Sequence, residues 1–143
     1  MTGGQKPLDD LTAEIIDAAY NLHRKLGPGL LESVYELILM RDLERRGLRA
    51  ARQIPISFDY DGMRFDDVCR IDLLVESRVV VEIKSVERFA PVHAKQLLTY
   101  LRLTQMPLGL LLNFGAPTLK DGFRRVVNNL PPSASPRLRV NQS

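Results

Sequence analysis

Two short apolar segments with a predicted helix between them constrain the fold of this chain more than any other feature. VVVEIKSV at residues 79–86 and LGLLLNF at residues 108–114 have the length and composition of buried strands. Pro91 suits the first turn of a helix that runs to about Thr104, and Pro107 ends it. A strand, a helix and a second strand in this order form a crossover connection, which pairs the two strands in parallel. The chain is therefore predicted to build a sheet that contains a parallel pair.

Helical spacing dominates the first third of the chain. Apolar residues recur at this spacing over residues 10–26 and again over residues 30–46, with Gly-Pro-Gly at residues 27–29 between the two segments. The short connection predicts two helices that are neighbours in the fold.

An alternating pattern follows, which is typical of strands. Apolar and polar residues alternate over residues 53–60, and Asp61-Gly62 is a strong signal for a hairpin turn. The remaining segments are assigned from similar signals: a second strand best defined at 70–75, a turn at 76–78, a loop at 115–122, and a short edge strand or helical turn at 123–128. The predicted order is α-α-β-β-β-α-β, an α/β fold with a mixed sheet flanked by helices.

Composition limits the classes of protein to which the chain can belong. Its 143 residues fit one domain, predicted at residues 1–130, with a disordered tail at residues 131–143. No apolar run is long enough to cross a bilayer, and the N-terminus lacks the apolar core of a signal peptide. The single cysteine, Cys69, cannot form an internal disulfide, so a reducing, cytoplasmic location is expected. One Cys with two His is too few for a zinc cluster. A net charge of +3 and a pI of about 9.2 favour polyanionic partners only weakly.

Glu82 and Lys84 are unexpected in a strand of valine and isoleucine, because charged side chains are rarely buried unless they are paired or bind a metal. Residues two apart in a strand point to the same side of the sheet, so these two share a face. Asp72 lies on the neighbouring strand, on the face away from Ile71 and Leu73, which are predicted to share the other face. A tight turn centred on Ser77 predicts that residues 72 and 82 oppose each other, with Cβ atoms about 4.5–5.5 Å apart.

Two interpretations of this acidic pair are open. Carboxylates this close repel each other unless a cation lies between them, and Mg²⁺ favours one or two carboxylates together with a backbone carbonyl and waters. Alternatively, Lys84 neutralises one acid and the three residues form a structural ion pair. Because Asp72 opposes Glu82 and the surroundings are apolar, the metal site and the structural ion pair are equally well supported.

Two further pairs of polar residues are four apart on predicted helices, so each pair shares a helix face. Glu32 and Glu36 flank Tyr35 directly after the Gly-Pro-Gly break, and at least one of them is a candidate for approaching the acidic pair. Gln96 and Tyr100 lie on the third helix. Taken alone, this last pair is more typical of a helix rim with a half-buried tyrosine.

These residues together resemble a known family. GLLESVY at residues 29–35 is similar to the GxxExxY signature of a family of small, mostly bacterial proteins. Asp72, Glu82-Ile83-Lys84 and the segment from Gln96 to Tyr100 resemble the D…ExK…QxxxY series of RecB-like nucleases in the PD-(D/E)xK superfamily. The resemblance extends over nearly the whole chain. The Pro-Asp dipeptide of the superfamily name is missing, since Ile71 precedes Asp72.

The resemblance implies a restriction-endonuclease-like fold with an α-β-β-β-α-β core and an extra N-terminal helix. It also implies hydrolysis of phosphodiester bonds in nucleic acid, with DNA favoured over RNA. By this similarity, Asp72, Glu82 and the Ile83 carbonyl would hold Mg²⁺ or Mn²⁺, and a glutamate of the second helix would complete the site. The signature favours Glu32 for that position, while Glu36 remains the alternative.

The same resemblance implies roles for the other polar residues. Lys84 would orient the attacking water or stabilise the transition state. Gln96 and Tyr100 would position the phosphate or hold Lys84 in place. The candidates for contacts to the nucleic-acid backbone are Arg70, Arg78, His93 and Lys95. Ordinary solvated surface explains these four residues equally well.

A rival function comes from another class of protein. A fold does not fix a function, so the chain is alternatively a catalytically inactive nuclease-fold module that binds nucleic acid or a protein partner. The chain has no obvious specificity domain. A homodimer or a larger complex is therefore a further expectation.

Overall fold

The computed structural model describes residues 5–129, and the predicted tail at residues 131–143 lies outside them. The helices of the described chain are α1 (Leu8–Leu26), α2 (Glu32–Arg45) and α3 (Pro91–Thr104). Its strands are β1 (Ala50–Tyr60), β2 (Met63–Val75), β3 (Val79–Lys84), β4 (Leu108–Asn113) and β5 (Phe123–Val127). The predicted order of elements is confirmed, and the segment at 123–128 contains an edge strand.

The strands form one sheet in the order β1-β2-β3-β4-β5. Neighbouring strands are antiparallel except β3 and β4, which are parallel as the crossover through α3 predicts. The hairpin turn at Asp61 and Gly62 is present, with Tyr60 opposite Met63 and φ values of 50° and 78° at the two turn residues. Positive φ at both central residues suits the type I′ turn that Asp-Gly favours.

Helices cover both faces of the sheet and form two apolar cores. On one face, α1 and α2 pack against residues such as Val81 and Leu110. On the other face, Leu97 of α3 lies so close to Gly109 that an added Cβ would come within 2.9 Å of its side chain. Val80 belongs to this second core. Because side chains alternate along a strand, Glu82 and Lys84 point to the same face of the sheet as Val80, which is the face that α3 covers.

The pairing of β1 with β2 contains a bulge. Phe58 pairs with Phe65, whereas Ile56 pairs with Cys69, so β1 advances by two residues while β2 advances by four. Asp67 takes up part of the excess with a φ of 51°, and its N–H donates to the hydroxyl of Ser57 at 2.9 Å. The bulge shifts the pairing partner of every β1 residue before Ser57 by two residues along β2.

The structure corrects two details of the strand predictions. The third strand ends at Lys84 rather than at Val86, because the N–H and C=O of Val86 bond to a buried side chain, that of Asn113, instead of continuing the ladder. Ile71 packs in the α3 core, whereas Leu73 packs in the core on the opposite face. β2 therefore does not keep a regular alternation at Asp72, the residue between them.

Candidate active site

The β2–β3 ladder ends at the two predicted acids. Paired residues run from Val75 and Val79 to Leu73 and Val81, which is the register that a turn at Ser77 predicts, and Asp72 and Glu82 are the next residues of the two strands. At these two residues, hydrogen bonds from backbone N–H groups to the carboxylates replace the backbone-to-backbone bonds of the ladder. The backbone N–H of Asp72 donates to Glu82 Oε1 at 3.2 Å, and the N–H of Ile83 donates to Asp72 Oδ2 at 2.8 Å. The acids thus fill the fork where the two strands separate.

Glu82 is a carboxyl group in an unfavourable position. Its residue surface is only 6% exposed, and burial raises the pKa of Glu82 to about 8, with the neighbouring charge of Asp72 acting in the same direction. The Asp72 N–H and the charge of Lys84 lower this pKa. Without a further cation, the fork therefore favours a proton on Glu82 at neutral pH.

A divalent cation fits this set of donors. The carboxylates are hard oxygen ligands, and Mg²⁺ typically takes one or two of them while keeping several waters. Asp72 is half-buried, so the fork is open to solvent on its side. The backbone of Ile83 adjoins both acids through its N–H bond to Asp72. Within residues 5–129 no third Asp, Glu, His or Cys joins the two acids in one ligand group.

The two glutamates of α2 have different environments. Glu36 is buried and accepts hydrogen bonds from Arg52 Nε at 2.8 Å and from the Gln53 amide at 2.8 Å. The same Gln53 nitrogen lies 3.4 Å from Asp72 Oδ1, so Gln53 links Glu36 to the fork. Glu32 is exposed and accepts the backbone N–H of Ser85 at 3.1 Å, one residue beyond β3.

Glu32 and Tyr35 fix the segment between α1 and α2. The Tyr35 hydroxyl donates to the Gly27 carbonyl at 2.5 Å and accepts the N–H of Leu30 at 3.2 Å. Together with Ser85, Glu32 lines an open depression of about 610 Å³ at the start of α2. The Glu and Tyr of GLLESVY thus hold the entry of α2 against the end of β3.

The third helix brings Tyr100 to the fork. Desolvation raises the pKa of Tyr100 to about 12, and the nearby Cys69, Glu82 and Asp72 act in the same direction. Its phenol therefore stays protonated at neutral pH. Gln96 is exposed, one helical turn earlier on the same face.

Sequence reasoning missed Gln53 and Cys69. The sequence presents Gln53 as an ordinary polar residue of an alternating strand, and its φ of 55° has no local signal. Cys69 is half-buried, and burial raises the pKa of its thiol despite a hydrogen bond with Tyr100. The contacts of Gln53 depend on the bulge, and the contact between Cys69 and Tyr100 depends on the placement of α3.

The four basic candidates lie in different settings. Arg70 forms an ion pair with Asp67 at 2.9 Å. Arg78 donates to the Lys6 carbonyl. His93 accepts the N–H of Ala90 through Nδ1 at 3.0 Å. Lys95 is exposed on α3.

No helix of residues 5–129 has the length and apolar character needed to span a membrane.

Comparisons with known proteins agree with the fold. Neither a search of curated proteins nor a search of solved structures found a match. The family model of the PD-(D/E)XK nuclease superfamily matches residues 9–126, and the mixed sheet with flanking helices and an N-terminal helix is consistent with its restriction-endonuclease-like fold. The chain belongs to the PD-(D/E)XK nuclease superfamily.

Proposed function

We propose that this protein is a metal-dependent nuclease that hydrolyses phosphodiester bonds, with Mg²⁺ or Mn²⁺ as its cofactor and DNA as its favoured substrate. The observation that carries the proposal is the contact between Asp72 and Glu82 at the strand fork, with Lys84 on the face of Glu82. Superfamily membership supports nuclease activity, and PD-(D/E)XK nucleases generally use divalent metals.

The acids and Ile83 would hold the metal. Asp72 and Glu82 would supply carboxylate oxygens, and Ile83 would supply its carbonyl. The N–H of Ile83 fixes the orientation of Asp72, and Gln53 supports its other oxygen. When bound, the metal supplies a water of lowered pKa and offsets negative charge on the phosphate.

Lys84 and Tyr100 would act on the phosphate. Lys84 is half-exposed, and its ammonium would stabilise the additional negative charge as water attacks the phosphorus. Tyr100 keeps its proton because its pKa is about 12, so it would donate a hydrogen bond to a phosphate oxygen. Gln96 would reach the same strand of nucleic acid from the preceding turn of α3.

Cleavage assays with matched variants test this function. Labelled single-stranded DNA, duplex DNA and RNA are incubated with Mg²⁺, with Mn²⁺ or with EDTA. We expect cleavage only with metal, and a loss of at least about 100-fold in Asp72→Asn and Lys84→Gln. Asp61→Asn, in the exposed hairpin turn, and Lys120→Gln, on the exposed loop before β5, are the matched controls and should cleave like the wild type.

Two results would contradict the proposal. Cleavage that persists in EDTA or in Asp72→Asn would mean that the acidic fork does not carry the reaction. Metal-independent binding of nucleic acid, without cleavage by the wild type, would favour the inactive nuclease-fold module instead. Circular dichroism of each variant separates loss of activity from loss of fold.

A further inference from the structure

We propose that Arg124, Phe89 and His93 form a second binding site for the nucleic-acid backbone, which takes a phosphate beside the one at the acidic fork. The identity of the ligand rests on the proposed function. The three side chains of the site lie outside the predicted catalytic set. His93 is one of the four residues that the sequence offers for contact with the nucleic-acid backbone.

Arg124 lies level with the fork across the sheet. Glu82 pairs with Leu111 of β4, and Leu111 pairs with Arg124 of β5. Residues paired in this way point to the same face, and two strand spacings amount to about 10 Å between Cα atoms. An arginine side chain at that distance extends beside a phosphate held at the fork, on the α3 face where Leu111 packs.

Among the described residues, the guanidinium of Arg124 is held in place but is not neutralised by a carboxylate. Its central carbon lies 5.3 Å from the centre of the Phe89 ring, and it donates to the neighbouring Phe123 carbonyl at 2.9 Å. No carboxylate within residues 5–129 pairs with it. Arg125, the next residue, points to the opposite face and pairs with Asp9 at 3.1 Å. A positioned and unpaired arginine is suited to a phosphate oxygen.

His93 supplies a second donor. Its Nδ1 accepts the N–H of Ala90, so the proton of the neutral ring lies on Nε2. The ring packs edge-on against Phe89 with centroids 6.1 Å apart. Phe89 therefore orients both donors, and it stands in the segment that joins Lys84 to α3.

The packing of Arg124 on Phe89 indicates that the site contacts a phosphate and does not stack a base. Arg124 covers a face of Phe89, so that face is closed to a stacked base. Arginine and histidine donors recognise phosphate oxygens, which carry no base identity. The site therefore strengthens binding without selecting sequence.

Arginine variants at adjacent positions test the site. Affinity for fluorescein-labelled DNA is measured by anisotropy in EDTA, over a series of salt concentrations. Arg124→Ala should weaken binding about tenfold and reduce the slope of log K against log salt by about 0.7–0.9. Phe89→Leu, which keeps an apolar side chain in the core but removes the ring, should weaken binding by a smaller factor. Arg125→Ala removes the same charge from the other face and should bind like the wild type.

A second measurement locates the phosphate. A set of oligonucleotides, each with one neutral methylphosphonate linkage, is titrated with the wild type and with Arg124→Ala. At one linkage the neutral substitution should weaken binding by the wild type and leave binding by the variant unchanged. Identical profiles for both proteins, or equal losses in Arg124→Ala and Arg125→Ala, would overturn the site.

Failure of the proposed function has a different signature. Binding that depends on Arg124 without cleavage supports the phosphate site and contradicts the nuclease activity. Cleavage with no difference between Arg124→Ala and Arg125→Ala supports the nuclease and contradicts the phosphate site. A wild-type protein that neither binds nor cleaves DNA or RNA contradicts both.

Discussion

A buried carboxyl group at position 82 destabilises the metal-free protein at neutral pH. An unfolded chain exposes Glu82 to water, where its pKa is the ordinary value of 4.5, whereas the folded protein raises it to about 8. Between these values the folded state binds more protons than the unfolded state, so stability falls as pH rises. Each pH unit in this window costs up to about 1.4 kcal/mol from this group.

Glu82→Gln should therefore stabilise the metal-free protein at pH 8 and leave it nearly unchanged at pH 4. The expected gain at pH 8 is on the order of 4 kcal/mol, since glutamine has the shape of the protonated acid and does not ionise. Urea unfolding in EDTA at pH 4, 6 and 8 measures it. A difference between the two proteins that is the same at all three pH values would contradict the prediction.

Gln53 joins two acids that are remote in sequence. Its amide nitrogen contacts both Glu36 and Asp72, and its backbone has a φ of 55°, a conformation that asparagine tolerates well. Gln53→Asn keeps the amide and the backbone conformation but is one methylene too short to span the two acids. We expect it to weaken Mn²⁺ binding at the fork about tenfold, because supports of this kind hold metal ligands in place.

Calorimetric titration with Mn²⁺ measures this change. The control is Gln105→Asn, since Gln105 also has a φ of 55° but lies exposed at the end of α3. Equal affinity in Gln53→Asn and the wild type would mean that the amide does not support Asp72.

The connection from β3 to α3 is anchored by one buried side chain of β4. Asn113 is 1% exposed; its amide oxygen accepts the N–H groups of Val86 and Gly115, and its amide nitrogen donates to the Val86 carbonyl. The backbone approaches so closely that a Cβ at Gly115 would lie 2.5 Å from Val86 N. This anchor sets where the chain leaves Lys84.

Asn113→Ala should destabilise the protein by about 2–4 kcal/mol, because it leaves three backbone groups without their partner. Asn128→Ala is the matched control: Asn128 is also buried, but within residues 5–129 its side chain makes one hydrogen bond, to the Met106 carbonyl. We expect about 1 kcal/mol for that variant. Urea unfolding measures both, and equal losses would contradict an anchoring role for Asn113.

The elements differ in how far the sequence predicts them. The turn between β2 and β3 has three residues, so the register that brings Asp72 to Glu82 follows from counting. The β1–β2 hairpin does not allow this, because the bulge near Ser57 inserts two residues of β2. Counting from the Asp61-Gly62 turn gives position 51, not Gln53, as the partner of Asp72. The sequence likewise leaves open the choice between Glu32 and Glu36, since it depends on how α2 packs over the shifted strand.

The whole molecule assembles the fork from both sides of the sheet. The α2 side contributes Glu36 through Gln53, and the α3 side contributes Tyr100 and, further across, the ring of Phe89. An unfolded chain has the same residues but does not hold Asp72 and Glu82 together. A divalent ion that binds the fork should therefore bind the folded state far better than the unfolded state.

Mg²⁺ should consequently raise the melting temperature of the whole protein. At ten times its dissociation constant, one bound ion adds about 1.4 kcal/mol, which corresponds to a rise of about 3–5 °C in a chain of this size. Asp72→Asn should abolish the rise, and Asp61→Asn should keep it. The comparison is made by calorimetry at constant ionic strength, with NaCl replacing MgCl₂, so that screening of surface charge is equal throughout. A rise that survives in Asp72→Asn would place the ion elsewhere, whereas no rise in the wild type up to tens of millimolar Mg²⁺ would mean that the two carboxyl groups share a proton and not a metal.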